Sequence, residues 1–275
     1  MEVKLASSYG FCFGVKRAID IAQQHTNSAT MGPLIHNQKE INRLKNDFKV
    51  GLYENLNDVK QDDTVIIRTH GIPKNDLKEL KQKDAKVINA TCPFVTTPQQ
   101  IVKKMSTQRY SILIFGDKEH PEVKGVQSYC EDDIHVILEP EELNNINFKY
   151  DKIATVAQTT RKKEKYLEIV NTLILKNKEV RVFNTICDAT FENQDAAREL
   201  SSEVDIMVII GGKNSSNTKQ LLNISKESCD DSYLIEDENE LDTSWFKNKK
   251  LCGVTAGAST PDWIIQSVVS KIKEI

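Results

Sequence analysis

The sequence predicts an α/β protein of three similar small lobes, with mostly parallel sheets, set around a pseudo-threefold axis as a trefoil. Three observations lead there. Short apolar, β-branched runs alternate with helical patterns along the chain, the signature of parallel sheets. A cysteine stands before a helical pattern three times, at Cys12, Cys92 and Cys187, with gaps of 80 and 95 residues, each about the length of a small domain. Each third also carries two polar switch points directly after apolar strands, a repeat that has to be recognised before a fold is assigned. The lobes are expected at 1–91, 92–186 and 187–275.

The elements follow in order. Val3 to Ala6 reads as a strand, followed by a turn at Cys12 and a helix to about Gln24. Val15, Ala18, Ile19 and Ala22 supply its apolar face. Gly10 and Gly14 are expected to turn the backbone around the thiol. The run from Ala29 leads through Gly32–Pro33 to His36–Asn37 and a helix from Gln38. Strands at 50–52 and 64–68 precede His70, a helix from Asn75, and a strand at 86–89 that enters Cys92. The second third repeats the plan. The buried strand 110–115 precedes Glu119, His120 and Glu122; strand 135–138 follows; strand 153–157 ends at Thr159–Thr160; a helix from about Lys162 and strand 180–183 lead into Cys187. In the last third, strand 205–210 precedes Ser215–Ser216–Asn217, strand 233–235 follows, and strand 251–255 ends at Ser259. Pro261 opens the final helix.

Composition narrows the function. Apolar content of 39% and charge of 28% are ordinary for a globular chain, and a net charge of −3 gives no sign of a nucleic-acid surface. No apolar run reaches membrane-spanning length, and the N-terminal stretch carries no charged-then-apolar leader. A cytoplasmic protein with reduced thiols is expected. Six cysteines there read as metal ligands or buried residues rather than disulfides.

Ligands of open parallel sheets bind beyond the carboxyl ends of the strands. The nine switch points all lie at such ends or at the cysteine turns, so the simplest geometry gathers them at one centre. Three thiolates suit a metal centre with a vacant position. Zinc accepts three Cys and one His. A cubane iron–sulfur cluster normally takes four Cys, and one held by three leaves an iron open to substrate. Structural zinc sites pair ligands about two to four residues apart, which these do not. Three buried cysteines that never meet is the plain alternative. Cys252 reads as strand core, and Cys130 and Cys229 as incidental.

The remaining polar set suggests an anion site. Ser215, Ser216 and Asn217 open a helix after a glycine pair, where N–H groups and hydroxyls cradle phosphates, although taken singly the stretch reads better as a helix cap. His36, His70 and His120 all sit at strand ends. Glu122 leaves a buried strand beside His120 and Pro121; a shielded carboxyl there has a raised pKa and can donate a proton. Glu119 precedes the turn and is placed outside.

These residues sit in a series of ordered motifs: GFCFGVKRAI, GPLIHN, RTHGIP, NATCPFV, EHPEVKG, QTT, TICDAT, KNSSN and TAGAS. With them the chain resembles, over nearly its whole length, the 4-hydroxy-3-methylbut-2-enyl diphosphate reductases, the last enzymes of the non-mevalonate isoprenoid pathway. The resemblance implies a trefoil with a [4Fe–4S] cluster on Cys12, Cys92 and Cys187 and one open iron. It implies a diphosphate among His36, His70, His120, Ser215, Ser216, Asn217 and Ser259. It gives Glu122 the proton and Thr159 the substrate hydroxyl end, with a reduced ferredoxin or flavodoxin as electron donor. Two other classes stand beside it: a zinc-dependent phosphate-ester hydrolase with Glu122 as base, and a non-catalytic phospholigand-binding protein.

Overall fold

A computed structural model describes residues 1–35, 37–213 and 215–275, with Ser216 described through its backbone alone. The chain runs β1 (Glu2–Leu5), α1 (Phe13–Gln24), β2 (Ala29–Met31), α2 (Gln38–Phe48), β3 (Gly51–Tyr53), β4 (Thr64–Ile67), α3 (Lys74–Gln82) and β5 (Lys86–Asn89). It continues with α4 (Pro93–Thr107), β6 (Ser111–Phe115), α5 (Pro121–Gln127), β7 (Ile134–Ile137), β8 (Lys152–Ala157), α6 (Lys163–Lys176) and β9 (Glu179–Val182). Last come α7 (Ala189–Ser201), β10 (Ile206–Ile210), α8 (Ser216–Lys226), β11 (Ser232–Ile235), β12 (Leu251–Ala256) and α9 (Asp262–Lys273). Short 3₁₀ turns, which local periodicity does not signal, occur at Leu56–Asp58, Pro140–Asn145, Glu238–Glu240 and Thr243–Phe246.

The strands form three four-stranded sheets of orders β3-β2-β4-β5, β7-β6-β8-β9 and β11-β10-β12-β1. Every pairing in them is parallel. The inner strands are buried along most of their length, as in Ile206–Ile210 and Ser111–Phe115. Strands covered on both faces carry continuous apolar runs rather than alternation, which is what these sequences show. The core of the third sheet joins Val208, Ile210, Val254 and Ala256 to Ile264, Ile265, Val268 and Ile272, the inward stripe of α9.

The one departure from the expected sheet membership is β1. It pairs with β12, with Val3 opposite Cys252, so it completes the last sheet instead of joining the segment that follows it. The chain clusters into two compact units. One comprises Met1–Lys16, Ile35–Asp47 and Asp188–Ile275; the other comprises Arg17–Leu34 and Phe48–Cys187. The first holds the sheet of β1, β10, β11 and β12, and the second holds the other two. We keep the three-lobe division as a proposal at the level of sheets, with β1 counted in the third.

Candidate functional site

The three sheets end alike. In each, the second strand in order (β2, β6, β10) leads to one polar loop: His36, His120–Glu122 or Ser215–Asn217. The third strand (β4, β8, β12) leads to His70, Thr159 or Ser259, and the edge strand (β5, β9, β1) leads to Cys92, Cys187 or Cys12. Backbone hydrogen bonds extend each edge pairing toward its cysteine. Ala90 N–H bonds Ile67 O at 3.1 Å and Cys92 N–H bonds Thr69 O at 3.0 Å. Phe183 N–H bonds Thr155 O at 3.0 Å and Cys187 N–H bonds Thr159 O at 2.8 Å. Ala6 N–H bonds Val254 O at 2.9 Å and Gly10 N–H bonds Ala256 O at 3.0 Å. The two cysteine turns of the second unit also share a side-chain device: Asn89 Oδ1 accepts from Thr91 N–H and Asn184 Oδ1 from Ile186 N–H, each an Asx turn three residues before the thiol. Gly10 has φ 71°, with Ile265 Cδ1 only 3.0 Å from where a Cβ would stand. Gly14, expected to turn the chain, lies instead within the first turn of α1.

Within the second unit the predicted residues meet. His120 caps α5, its Nδ1 accepting Glu122 N–H at 3.2 Å. Its ring meets that of His70 edge to face, centroids 5.5 Å apart. Glu122 is 2% exposed. One carboxylate oxygen accepts Thr159 N–H at 2.8 Å and the other accepts the Thr159 hydroxyl at 2.7 Å. Burial pushes the Glu122 carboxyl above its ordinary value, against the opposing pull of the Thr159 donors and the Arg161 charge. A contiguous chain of contacts therefore runs from Cys92 through Thr69 and His70 to His120, Glu122, Thr159 and Cys187. Glu119 is exposed and paired with Lys124 at 2.7 Å, outside the cluster as expected.

The first unit holds Cys12, Ser215, Asn217 and Ser259. Ser215 caps α8 by accepting Thr218 N–H at 3.3 Å. Thr218 and Thr260 fill the space beside Gly211, 2.8 and 2.9 Å from where a Cβ would stand. Thr260 also bonds Ile210 O at 3.0 Å. The loops after β10 and β12 are thus packed on one another. Among the described residues, both Asn217 side-chain polar atoms are buried without a hydrogen-bond partner. Such orphans call for an explanation, and an anion held at the start of α8 supplies one. His36 lies outside the described residues, as does the side chain of Ser216.

None of the six cysteines forms a disulfide. Cys12, Cys92 and Cys187 are part-exposed, whereas Cys229 and Cys252 are buried. Burial pushes the Cys252 thiol up to about 12 and raises those of Cys229 and Cys130, the state of an inert structural thiol. Cys130 is part-exposed as well, but it is the three thiols at the repeated turns that follow the ends of the edge strands. Among the described residues, no three His, Cys, Asp or Glu side chains group tightly enough to share one metal ion; a cubane asks each cysteine for a different iron.

Two residues outside the predicted set hold the site in place. The buried Gln158 Oε1 accepts Asp117 N–H at 2.9 Å and the Arg161 guanidinium at 3.1 and 3.2 Å. This ties the Glu122 loop to the Thr159 loop. Arg17 donates to Thr91 O at 3.2 Å, bracing the Cys92 turn. Gln158 accepts from a backbone N–H and Arg17 donates to a backbone oxygen, each across a long stretch of chain. Only their place inside the QTT and GFCFGVKRAI motifs pointed to them.

The family model described as LytB protein matches residues 3–273. A curated relative from Sulfurovum sp. (strain NBC37-1), named 4-hydroxy-3-methylbut-2-enyl diphosphate reductase, is 62% identical over the whole of both chains. One of the same name from Sulfurimonas denitrificans is 63% identical over 99% of each. A solved (E)-4-hydroxy-3-methyl-but-2-enyl diphosphate reductase, described as the terminal enzyme of the non-mevalonate pathway, superposes with TM-score 0.84 at 43% identity, covering 100% of this chain and 99% of that one. The Plasmodium falciparum E-1-hydroxy-2-methyl-but-2-enyl-4-diphosphate reductase gives 0.83 at 27% identity, covering 98% of this chain and 87% of that one. The strand-end repeat, the shielded carboxyl and the full-length matches agree, and the chain belongs to the LytB protein family.

Proposed function

We propose that this chain reduces (E)-4-hydroxy-3-methylbut-2-enyl diphosphate to isopentenyl and dimethylallyl diphosphates, the closing step of non-mevalonate isoprenoid synthesis. The full-length relatives carry that name, and the Glu122–Thr159 pair supplies the proton chemistry the reaction needs. The allylic alcohol takes up two electrons and two protons and releases water. Hydroxide is a poor leaving group, so its departure requires a Lewis acid and a proton.

In this reading Cys12, Cys92 and Cys187 hold a [4Fe–4S] cluster. When bound, it would relay the donor's two electrons one at a time and offer Lewis-acid iron to the substrate hydroxyl. Glu122, whose proton affinity burial raises above the ordinary carboxyl value, gives a proton to the departing oxygen. The Thr159 hydroxyl, bonded to Glu122, helps to position the alcohol end. The diphosphate lies among His36, His70, His120, Ser215, Ser216, Asn217 and Ser259. Neutral donors and the start of α8 orient it there without a cluster of lysines. A reduced ferredoxin or flavodoxin delivers the electrons, and the reaction takes place in the cytoplasm. Among the described residues no helix is long and apolar enough to cross a membrane.

The observation that carries this reading is the carboxyl of Glu122, 2% exposed and bonded through both oxygens to one threonine. The test is anaerobic turnover of purified protein with reduced methyl viologen and the diphosphate substrate, products read by mass spectrometry. Both isoprenoid diphosphates should appear, together with brown colour, iron and acid-labile sulfide. Colourless protein that hydrolyses the phosphate ester would point to the zinc hydrolase. Ligand retention without turnover would point to a binding protein.

A further inference from the structure

A cavity of about 440 Å³ opens between α4 and β9, away from the Glu122 cluster, lined by Ile101, Lys104, Met105, Arg181, Val182 and Phe183. Its floor is apolar and its rim is cationic. We infer that this groove is the docking surface for an acidic protein that carries single electrons, an inference that rests on the reductase reading above.

Three features of the groove select that occupant. The first is charge. Lys104 is exposed and has no ion pair among the described residues. Arg181 lies over the Tyr110 ring at 4.8 Å and Lys152 over the same ring at 5.6 Å, with Glu179 the carboxylate between them. The chain as a whole carries −3. A basic strip on an acidic protein gives an acidic partner one favoured landing place, because steering follows the local field.

The second is the rails of the groove. Cys92 stands at the N-terminal boundary of α4, and β9 leads into Cys187. From Cys92 to Ile101 the helix climbs about 14 Å. From Val182 to Cys187 the chain spans at most about 17 Å. A carrier seated here rests against two elements that each end at a proposed cluster ligand.

The third is the surface. β9 is the edge of its sheet, so among the described residues no strand lies along its outer backbone, and Val182 is 41% exposed. Met105 gives the floor a side chain that adapts to its partner. Electron-transfer encounters are small, transient interfaces, and a shallow groove with two or three cations fits that scale.

The test uses the holoenzyme and the double variant Lys104→Glu with Arg181→Glu. An acidic ferredoxin is the probe. Its dissociation constant should weaken tenfold or more, in both the cluster-loaded and the cluster-free protein, and the salt dependence of binding should flatten. The rate driven by reduced ferredoxin should fall in step, while the rate driven by reduced methyl viologen stays at the wild-type level. Lys271→Glu with Lys273→Glu on α9 makes the same change in net charge and should leave the dissociation constant within about twofold. Lys104→Glu alone removes one unpaired surface cation without touching the Tyr110 stack, and should still weaken binding severalfold. Unchanged ferredoxin affinity in both groove variants overturns the docking site. So does equal weakening in the α9 control, which would mean that net charge alone is at work. Absence of turnover with methyl viologen in the wild type would instead overturn the reductase reading, and the affinity measurements tell the two failures apart.

Discussion

Replacing Glu122 by Gln tests the proton-donor role with little disturbance to the fold. The amide oxygen can accept Thr159 N–H where the carboxylate now does at 2.8 Å. The amide NH₂ then faces the Thr159 hydroxyl, now 2.7 Å from the second oxygen. A hydroxyl both donates and accepts, so it turns and both contacts survive. What is lost is the transferable proton. General acids contribute about 10²- to 10⁴-fold, so kcat should fall by that factor, about 3–5 kcal/mol of barrier, with KM little changed. Anaerobic turnover with reduced methyl viologen measures it. The pH profile supplies a second, independent reading. Burial raises the Glu122 pKa, so the wild-type rate should decline as pH climbs through that value, and the residual rate of the variant should not. Stability follows the same sign. The native state holds this proton more tightly than the unfolded chain. The resulting stabilisation is complete below the ordinary glutamate value, about 4.3, and is lost as pH rises through the higher folded value. The stability difference between wild type and variant, measured by denaturant titration, should therefore shift in favour of the variant as pH rises. A variant that turns over within threefold of wild type, or a wild-type profile with no decline toward high pH, would refute the assignment.

Cys92→Ser should strip most iron and acid-labile sulfide from anaerobically purified protein, whereas Cys252→Ala, in a buried strand, should leave both at wild-type levels; metal analysis decides. Asn217→Leu removes two buried polar atoms that have no partner among the described residues, so the melting temperature should hold or rise. A hydrogen bond to a charged oxygen contributes about 1.5–3 kcal/mol, so titration calorimetry should show diphosphate affinity weakened by about 10- to 150-fold. Gly71 has φ 74°, with Gln99 Nε2 3.0 Å from where a Cβ would stand. Gly71→Ala should cost about 1–2 kcal/mol in a chemical melt and displace His70, which follows directly from Thr69 in the same turn.

What was legible in the chain was local. The inner strands announce themselves as unbroken apolar runs because both faces are covered. The helices show their apolar stripes, and the polar loops fall where parallel sheets present ligands. The buried position of Glu122, and the outside position of Glu119, follow from which side of the Pro121 turn each occupies. What escaped was non-local. β1 is four residues, EVKL, half exposed along its length, and nothing in so short a stretch says which sheet it joins. Gln158 and Arg17 act through hydrogen bonds to atoms 41 and 74 residues away, a distance no periodicity spans. Gly14 was misread because a glycine near a turn also fits the first turn of a helix.

The placement of β1 carries the larger lesson about the site. In the other two sheets the strand that delivers the cysteine is the edge strand beside the one ending at His70 or Thr159. The third sheet needs such a strand beside β12, and the chain after β9 provides no further one for it. β1 takes that place, and its backbone bonds to Val254 and Ala256 carry Cys12 along the same path that Cys92 and Cys187 follow. The repeat is thus complete in space while being broken in sequence. A register slip of one residue in β1 would move Cys12 by about 3.3 Å along the strand and turn every side chain of β1 to the opposite face. The constraint on Cys12 lies in the four-residue pairing of Glu2–Leu5 with Leu251–Val254, not in the helix that follows it.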